Sequence, residues 1–135
     1  LANVLVAEDD VEMSRFIVKI LEREGYTVSE AHDGEEALRL VGSGGVNVLV
    51  LDLMMPKVDG FEVIRRLRMD ERTKDLPIVV CSALPRKSLP ETERAVLSTV
   101  VAHISKPFDV KEFLFKVKEA ATGRNGHPKT RTVVV

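Results

Sequence analysis

The stretch VNVLVLDLMMPKVDG, residues 46–60, decides how this chain is read. From Val46 to Leu51 it is short, rich in β-branched residues and apolar on successive rather than alternate positions. That is the pattern of a strand covered on both faces, as in a parallel sheet. The run then ends on Asp52. A carboxylate at the end of a buried strand is costly unless something pairs with it, so its partners are to be sought at the ends of other strands.

Working outward, the same grammar repeats. Asn3 to Ala7 is a short apolar run, followed by Met13, Phe16, Ile17, Ile20 and Leu21 at helical spacing, with Gly25 as a stop. Thr27 to Ala31 reads as a second strand, and Asp33 with Glu36 is a capping signal for a helix that runs into GSGGV. After the Val46 strand, Asp59-Gly60 opens a helix with Val63, Ile64 and Leu67 on one face. Leu76-Pro77 leads into a fourth strand, Ile78 to Ser82. A less periodic helix around Pro90 to Ser98 precedes the strand Val101 to Ile104. The last helix has Asp109 as N-cap, Glu112 at N3, and Phe108 facing Phe113 as a hydrophobic staple. Strands alternating with helices predict an α/β doubly wound (βα)5 sandwich with a five-stranded parallel sheet.

Composition agrees with one such domain. The 135 residues suffice to bury a core without staples, and 44% hydrophobic with 30% charged residues of both signs leaves no room for a disordered chain. No apolar stretch approaches the roughly 20 residues needed to span a bilayer, so no membrane association is expected. The single cysteine, Cys81, excludes an internal disulfide and a Cys-based zinc site, reads as strand packing, and suits a reducing cytoplasmic compartment. No charged and apolar leader precedes the first strand, so no signal peptide is expected in these residues. Three of the 20 basic residues, Arg124, Lys129 and Arg131, lie beyond residue 121 and none of the 21 acidic ones does, so residues 1–121 carry a net −4. Direct nucleic-acid binding by this domain is not indicated. Residues 1–121 are read as the domain, and 122–135, ending in TVVV, as a tail or linker.

In open parallel sheets, ligands bind outside the carboxyl ends of the strands, where the strand order reverses. Here the first strand ends on Glu8-Asp9, the third on Asp52, the fourth on Ser82, and the fifth runs through Ser105 into Lys106. Every one of those ends is polar, and their types are complementary. Carboxylates crowded into one crevice repel one another unless a cation is present. With neither Cys nor His among them, they suit magnesium, with manganese as a substitute, rather than zinc. Magnesium keeps some protein carboxylates together with a phosphoryl oxygen, and an ammonium and a hydroxyl can serve the other phosphoryl oxygens. No Walker loop or G-x-G-x-x-G is present. The phosphoryl acceptor is therefore sought in the protein itself, and Asp52 can act as a carboxylate nucleophile.

VLVAEDD (residues 4–10), LVLDLMMPKVDGFEV (49–63), IVVCSA (78–83) and ISKPF (104–108) together resemble bacterial response-regulator receiver domains, in order and spacing, from residue 3 to about 121. The resemblance implies strand order 2-1-3-4-5. It implies Asp52 as phosphoacceptor, and Asp9 and Asp52 as direct metal ligands. The backbone carbonyl of Met54 is the implied third ligand, with Glu8 holding a metal-bound water. It assigns Ser82 and the Ala83 backbone amide to the phosphoryl group, Lys106 as the ammonium that pairs with it, and a cis peptide bond before Pro107. Asp10 matches no pocket position and is placed near the start of the first helix. His103 stands where most members carry a Tyr or Phe switch residue, and an imidazole there is smaller and can titrate. Thr99, Val100 and Val101 replace the usual Gly-Ala-Asp run.

The function this implies is a phosphorylation-controlled signalling switch that accepts its phosphoryl group from a sensor histidine kinase or phosphotransfer protein. It is not an enzyme beyond self-catalysed phosphotransfer and autodephosphorylation. A pseudo-receiver that binds partners without phosphorylation is the alternative, and its usual mark is a missing acid, lysine or hydroxyl. A phosphatase cycling through aspartyl phosphate commonly needs a second acid where Met54 stands. The Gly42, Gly44 and Gly45 segment reads as a helix-terminating loop, and His32 as a solvated loop residue. Phe115 falls off the apolar stripe of the last helix, beside Lys111 and Lys118, and is expected to be exposed. With the fourth helix and fifth strand, that face is the expected surface for a partner or a homodimer.

Overall fold

The computed structural model describes residues 2–123. Five strands, β1 (Asn3–Ala7), β2 (Thr27–Ala31), β3 (Val48–Leu51), β4 (Ile78–Ser82) and β5 (Ala102–Ser105), form one parallel sheet in the order β2-β1-β3-β4-β5. Between and after them run α1 (Val11–Arg23), α2 (Gly34–Gly42), α3 (Gly60–Met69), α4 (Glu91–Leu97) and α5 (Val110–Thr122). The doubly wound architecture and its strand order are those read from the sequence.

Alternation along the central strands explains why they are apolar without interruption. Leu5, Ala7, Leu49, Leu51 and Val80 face a core shared with α2, α3 and α4. Their neighbours Val4, Val6, Val48, Val50 and Val79 face a second core with Ile17 and Leu21 of α1 and Phe113 and Val117 of α5. A strand with a helix layer on each side has no wet face to mark with polar residues.

Four of the helices begin on aspartates. Asp10, Asp33, Asp59 and Asp109 each accept a hydrogen bond from an amide of the first turn, those of Met13, Glu36, Glu62, and Lys111 with Glu112 respectively. Each carboxylate satisfies an otherwise orphaned donor and meets the positive end of the helix dipole. Phe108 stacks on Phe113 with ring centroids 5.0 Å apart, closing the staple at α5.

Three boundaries differ from the periodicity. β3 starts at Val48 rather than Val46, because Asn47 turns its groups onto Asn3: Asn47 Oδ1 accepts from the Asn3 amide at 2.8 Å, and the Asn47 amide donates to the Asn3 carbonyl at 2.9 Å. β5 is Ala102–Ser105, one residue later than expected, with the Val101 amide already bonded to the Ile78 carbonyl. A 3-10 turn at Arg86–Ser88, not foreseen, precedes α4. α5 runs through Thr122 to a left-handed Gly123. Of the expected tail, 122–135, Thr122 belongs to α5 and Gly123 caps it, and residues 124–135 lie outside the described residues. Among the described residues no helix is long and apolar enough to cross a membrane.

Candidate functional site

The carboxyl ends of β1, β3, β4 and β5 bring five side chains, those of Glu8, Asp9, Asp52, Ser82 and Lys106, into one crevice. Glu8, Asp9 and Asp52 each offer a carboxylate oxygen, and the three lie within 4.8 Å of one another. Glu8 is 2% exposed, Asp52 7% and Ser82 fully buried, while Asp9 is open to solvent. Lys106 reaches over them: its Nζ lies 2.5 Å from Glu8 Oε1 and 3.6 Å from Asp52 Oδ2. The Lys106 amide donates to the Ser82 carbonyl at 3.0 Å, tying the ends of β4 and β5 together. The peptide bond from Lys106 to Pro107 is cis.

The remaining oxygens are only partly occupied. Glu8 Oε2 accepts from the Asp10 amide at 3.1 Å, and Asp52 Oδ1 accepts from the Met54 amide at 3.3 Å. Ser82 Oγ accepts from the Leu84 amide at 3.3 Å. Burial pushes the Glu8 carboxyl up, against the pull of Lys106 and the Asp10 amide, and Asp52 adds to the rise. For Lys106 burial works against the charge, but its contacts with Glu8 and Asp52 outweigh it and hold the ammonium above its ordinary range. One ammonium therefore faces three carboxylates. The donor set is all oxygen, crowded, partly dry and short of positive charge, which fits a hard divalent cation such as magnesium.

Close backbone packing holds the segment that follows Asp52. A Cβ on Gly60 would stand 2.6 Å from the Asp52 carbonyl oxygen and from Leu53 Cα, and the Gly60 amide donates to the Leu53 carbonyl at 2.9 Å. A Cβ on Gly34 would fall 1.8 Å from the Val58 carbonyl oxygen. Only glycine lets α3 and the start of α2 press this closely on the loop. Lys57 Nζ reaches Asp33 Oδ2 at 3.5 Å from the other side.

Other expected residues stand apart from the crevice. His103 lies on β5 opposite Val80, half-buried, with Nε2 enclosed and without a hydrogen-bond partner among the described residues. Phe115 is 58% exposed on α5, and Lys111 and Lys118 are exposed on the same helix. Met54 is exposed and Ala83 follows β4 at the rim. Asp10 is the N-cap of α1 and lends Glu8 its amide. Cys81 is buried, and that burial pushes its thiol up to about 12, so it is a neutral packing group. His32 is exposed in its loop as expected, but it also makes a contact not foreseen: its Nδ1 lies 3.2 Å from the Glu8 carbonyl oxygen. The one signal in the sequence was its place directly after β2, the neighbour of β1.

The family model described as the response regulator receiver domain matches residues 4–118. The DNA-binding dual master transcriptional regulator RpaA of Synechocystis is 38% identical over 116 residues, covering 86% of this chain and 47% of that protein. The chain thus spans about half the length of the curated relatives it matches. Among solved structures, the receiver domain of Francisella response regulator 1452 superposes with a TM-score of 0.79 at 31% identity, covering 91% of this chain and 98% of its own. The Thermotoga maritima response regulator TrrA, solved in complex with Mg2+-BeF, gives a TM-score of 0.78 at 28% identity, covering 89% of this chain and 99% of its own.

Proposed function

This chain belongs to the response regulator receiver domain family, and from that premise we propose that it is a magnesium-dependent phosphoacceptor switch with Asp52 as the acceptor. The observation that carries the reading is the Lys106 ammonium set between Glu8 and Asp52, over a carboxylate cluster that lacks positive charge.

An Asp52 oxygen attacks the phosphorus of a phosphohistidine on a histidine kinase or phosphotransfer protein. The P–O bond forms as the P–N bond breaks, and the imidazole leaves with the electron pair. The product is an aspartyl phosphate. Asp9, Asp52 and the Met54 carbonyl would hold the metal, with Glu8 placed to hold a water of its shell, and the ion when bound would supply charge neutralisation for the phosphoryl oxygens. Lys106, freed from part of its contact with Glu8, pairs with another phosphoryl oxygen. The Ser82 hydroxyl and the Ala83 amide serve the third. Because Lys106 is bonded through its backbone to the end of β4 and begins the β5–α5 connection, its shift biases β5 and the surface beside it.

His103 sits in β5 at the switch position, and Phe115 with Lys111 and Lys118 marks the face of α4, β5 and α5 on which an output partner or a second copy docks. The domain acts in the cytoplasm, and the net −4 of residues 1–121 argues against direct nucleic-acid contact by it. The pseudo-receiver alternative has no support, since acids, hydroxyl and lysine are all present.

Intact-mass spectrometry after acetyl phosphate with magnesium tests this. One phosphoryl group is expected, absent in Asp52→Asn and absent with a chelator. A wild-type chain that stays unmodified with magnesium present would return the pseudo-receiver reading.

A further inference from the structure

Glu8 is held from both sides by the end of the neighbouring strand. Its amide donates to the Ala31 carbonyl at 3.0 Å, and its carbonyl oxygen lies 3.2 Å from His32 Nδ1. A carbonyl only accepts, so Nδ1 carries the proton of that bond. Glu30 lies near the far side of the ring, its Oε1 3.6 Å from His32 Nε2, too far for a hydrogen bond, and that oxygen accepts instead from the Ser14 hydroxyl at 2.9 Å. Ser14 is fully buried in α1. The His32 backbone amide is fixed as well, donating to Glu36 Oε1 at 2.8 Å. His32 is therefore held by its main chain to Glu36 and reaches with its ring to the peptide bond that joins Glu8 to Asp9.

That peptide bond matters because both of its flanking residues carry a carboxylate of the acidic cluster. Its orientation sets the direction in which each side chain leaves the backbone. Asp9 needs such support, for its exposed carboxylate accepts no hydrogen bond among the described residues. We propose that His32 is a positioning residue for the divalent-cation site, aiming the Glu8 and Asp9 carboxylates by bonding the carbonyl between them. The proposal rests on the cation-site reading above. Groups that orient metal ligands without touching the metal commonly tune its affinity.

The test is calorimetric titration of the purified chain with magnesium chloride at one alkaline pH, with thermal unfolding in the absence of metal alongside. His32→Phe keeps a planar ring and removes the donor. Its magnesium affinity should fall about three- to tenfold, the range of one neutral hydrogen bond, with little change in the metal-free unfolding midpoint. His32→Asn places an amide N–H where Nδ1 stands, and should return affinity to within about twofold of wild type. His32→Phe binding magnesium like wild type would overturn the proposal, and so would His32→Asn binding as weakly as His32→Phe. A wild-type chain that binds no magnesium would instead bring down the cation-site reading itself.

Discussion

Lys106 and Arg68 are partly buried cations at opposite ends of the sheet, and they are held in opposite ways. Lys106, at the carboxyl end, contacts the Glu8 and Asp52 carboxylates. Arg68, at the amino end, forms no ion pair among the described residues, with Asp75 acting on it only at longer range: its Nη1 donates to the Lys74 and Leu76 carbonyls at 3.0 and 2.8 Å, its Nη2 to the Thr99 carbonyl at 2.9 Å, and its Nε is enclosed without a partner. Burial works against the charge of both. Backbone carbonyls are fixed dipoles that neither titrate nor bind metal in that arrangement. Carboxylates in excess of their cation respond to whatever enters the crevice. One end of the sheet is thus built to hold the strand entries of β4 and β5 in place, and the other is left responsive.

The largest effect should come from the fixed end. Arg68→Ala leaves three carbonyls without their donor and should cost about 2–4 kcal/mol of stability. Magnesium should not change that loss. Lys106→Ala leaves Glu8 and Asp52 without their ammonium and should cost less, about 1–2 kcal/mol in the absence of metal. Added magnesium should restore much of it, and the phosphorylation-dependent partner response should be lost. Urea unfolding of both variants with and without magnesium reads all of this. A magnesium-rescued Arg68→Ala, or a Lys106→Ala indifferent to magnesium, would break the contrast.

The two ends were also unequally legible. At the carboxyl end, the acids, hydroxyl and lysine sit at or next to strand ends that the apolar runs reveal, so strand grammar alone assembles Glu8, Asp9, Asp52, Ser82 and Lys106. The start of β3 was misread for a local reason: Val46 continues the apolar run, but Asn47 spends its groups on Asn3. Nothing in the sequence sets Arg68 apart from any charged residue of an amphipathic helix, because its partners are main-chain carbonyls, those of Lys74 and Leu76 soon after α3 and that of Thr99 before β5. His32 had the same defect. Its partner is a main-chain oxygen of Glu8, and main-chain acceptors leave no trace in residue type.

A residue serving neither end should leave both untouched. Phe115 is largely exposed, with Lys116 Nζ 5.9 Å from its ring centroid. Phe115→Ala should shift unfolding by less than about 0.5 kcal/mol and leave Asp52 phosphorylation unchanged. It should weaken self-association or partner binding by about 1–2 kcal/mol, as expected for an aromatic anchor. Sedimentation of the phosphorylated protein measures the first and calorimetry with the output partner the second. A variant that unfolds readily would show Phe115 to be a packing residue after all.

The smallest effect belongs to His103, which lies beside the responsive end without contributing a charge to it. Burial first, and then the positive charge of Arg86, hold its imidazole below the ordinary histidine range. Its enclosed Nε2 has no partner to reward protonation. As pH falls from neutral, the unfolded chain therefore takes up this proton before the folded chain does. The stability owed to the neutral ring is complete above the ordinary histidine value and is lost as pH drops through that value toward the folded one. His103→Phe removes both the proton site and the unpartnered nitrogen, so its stability should fall less steeply between neutral and mildly acid pH. The other histidines are common to both proteins and cancel in the difference. Urea midpoints measured across that interval decide it. Parallel curves would mean that the ring reaches solvent freely and that its enclosure carries no weight in stability.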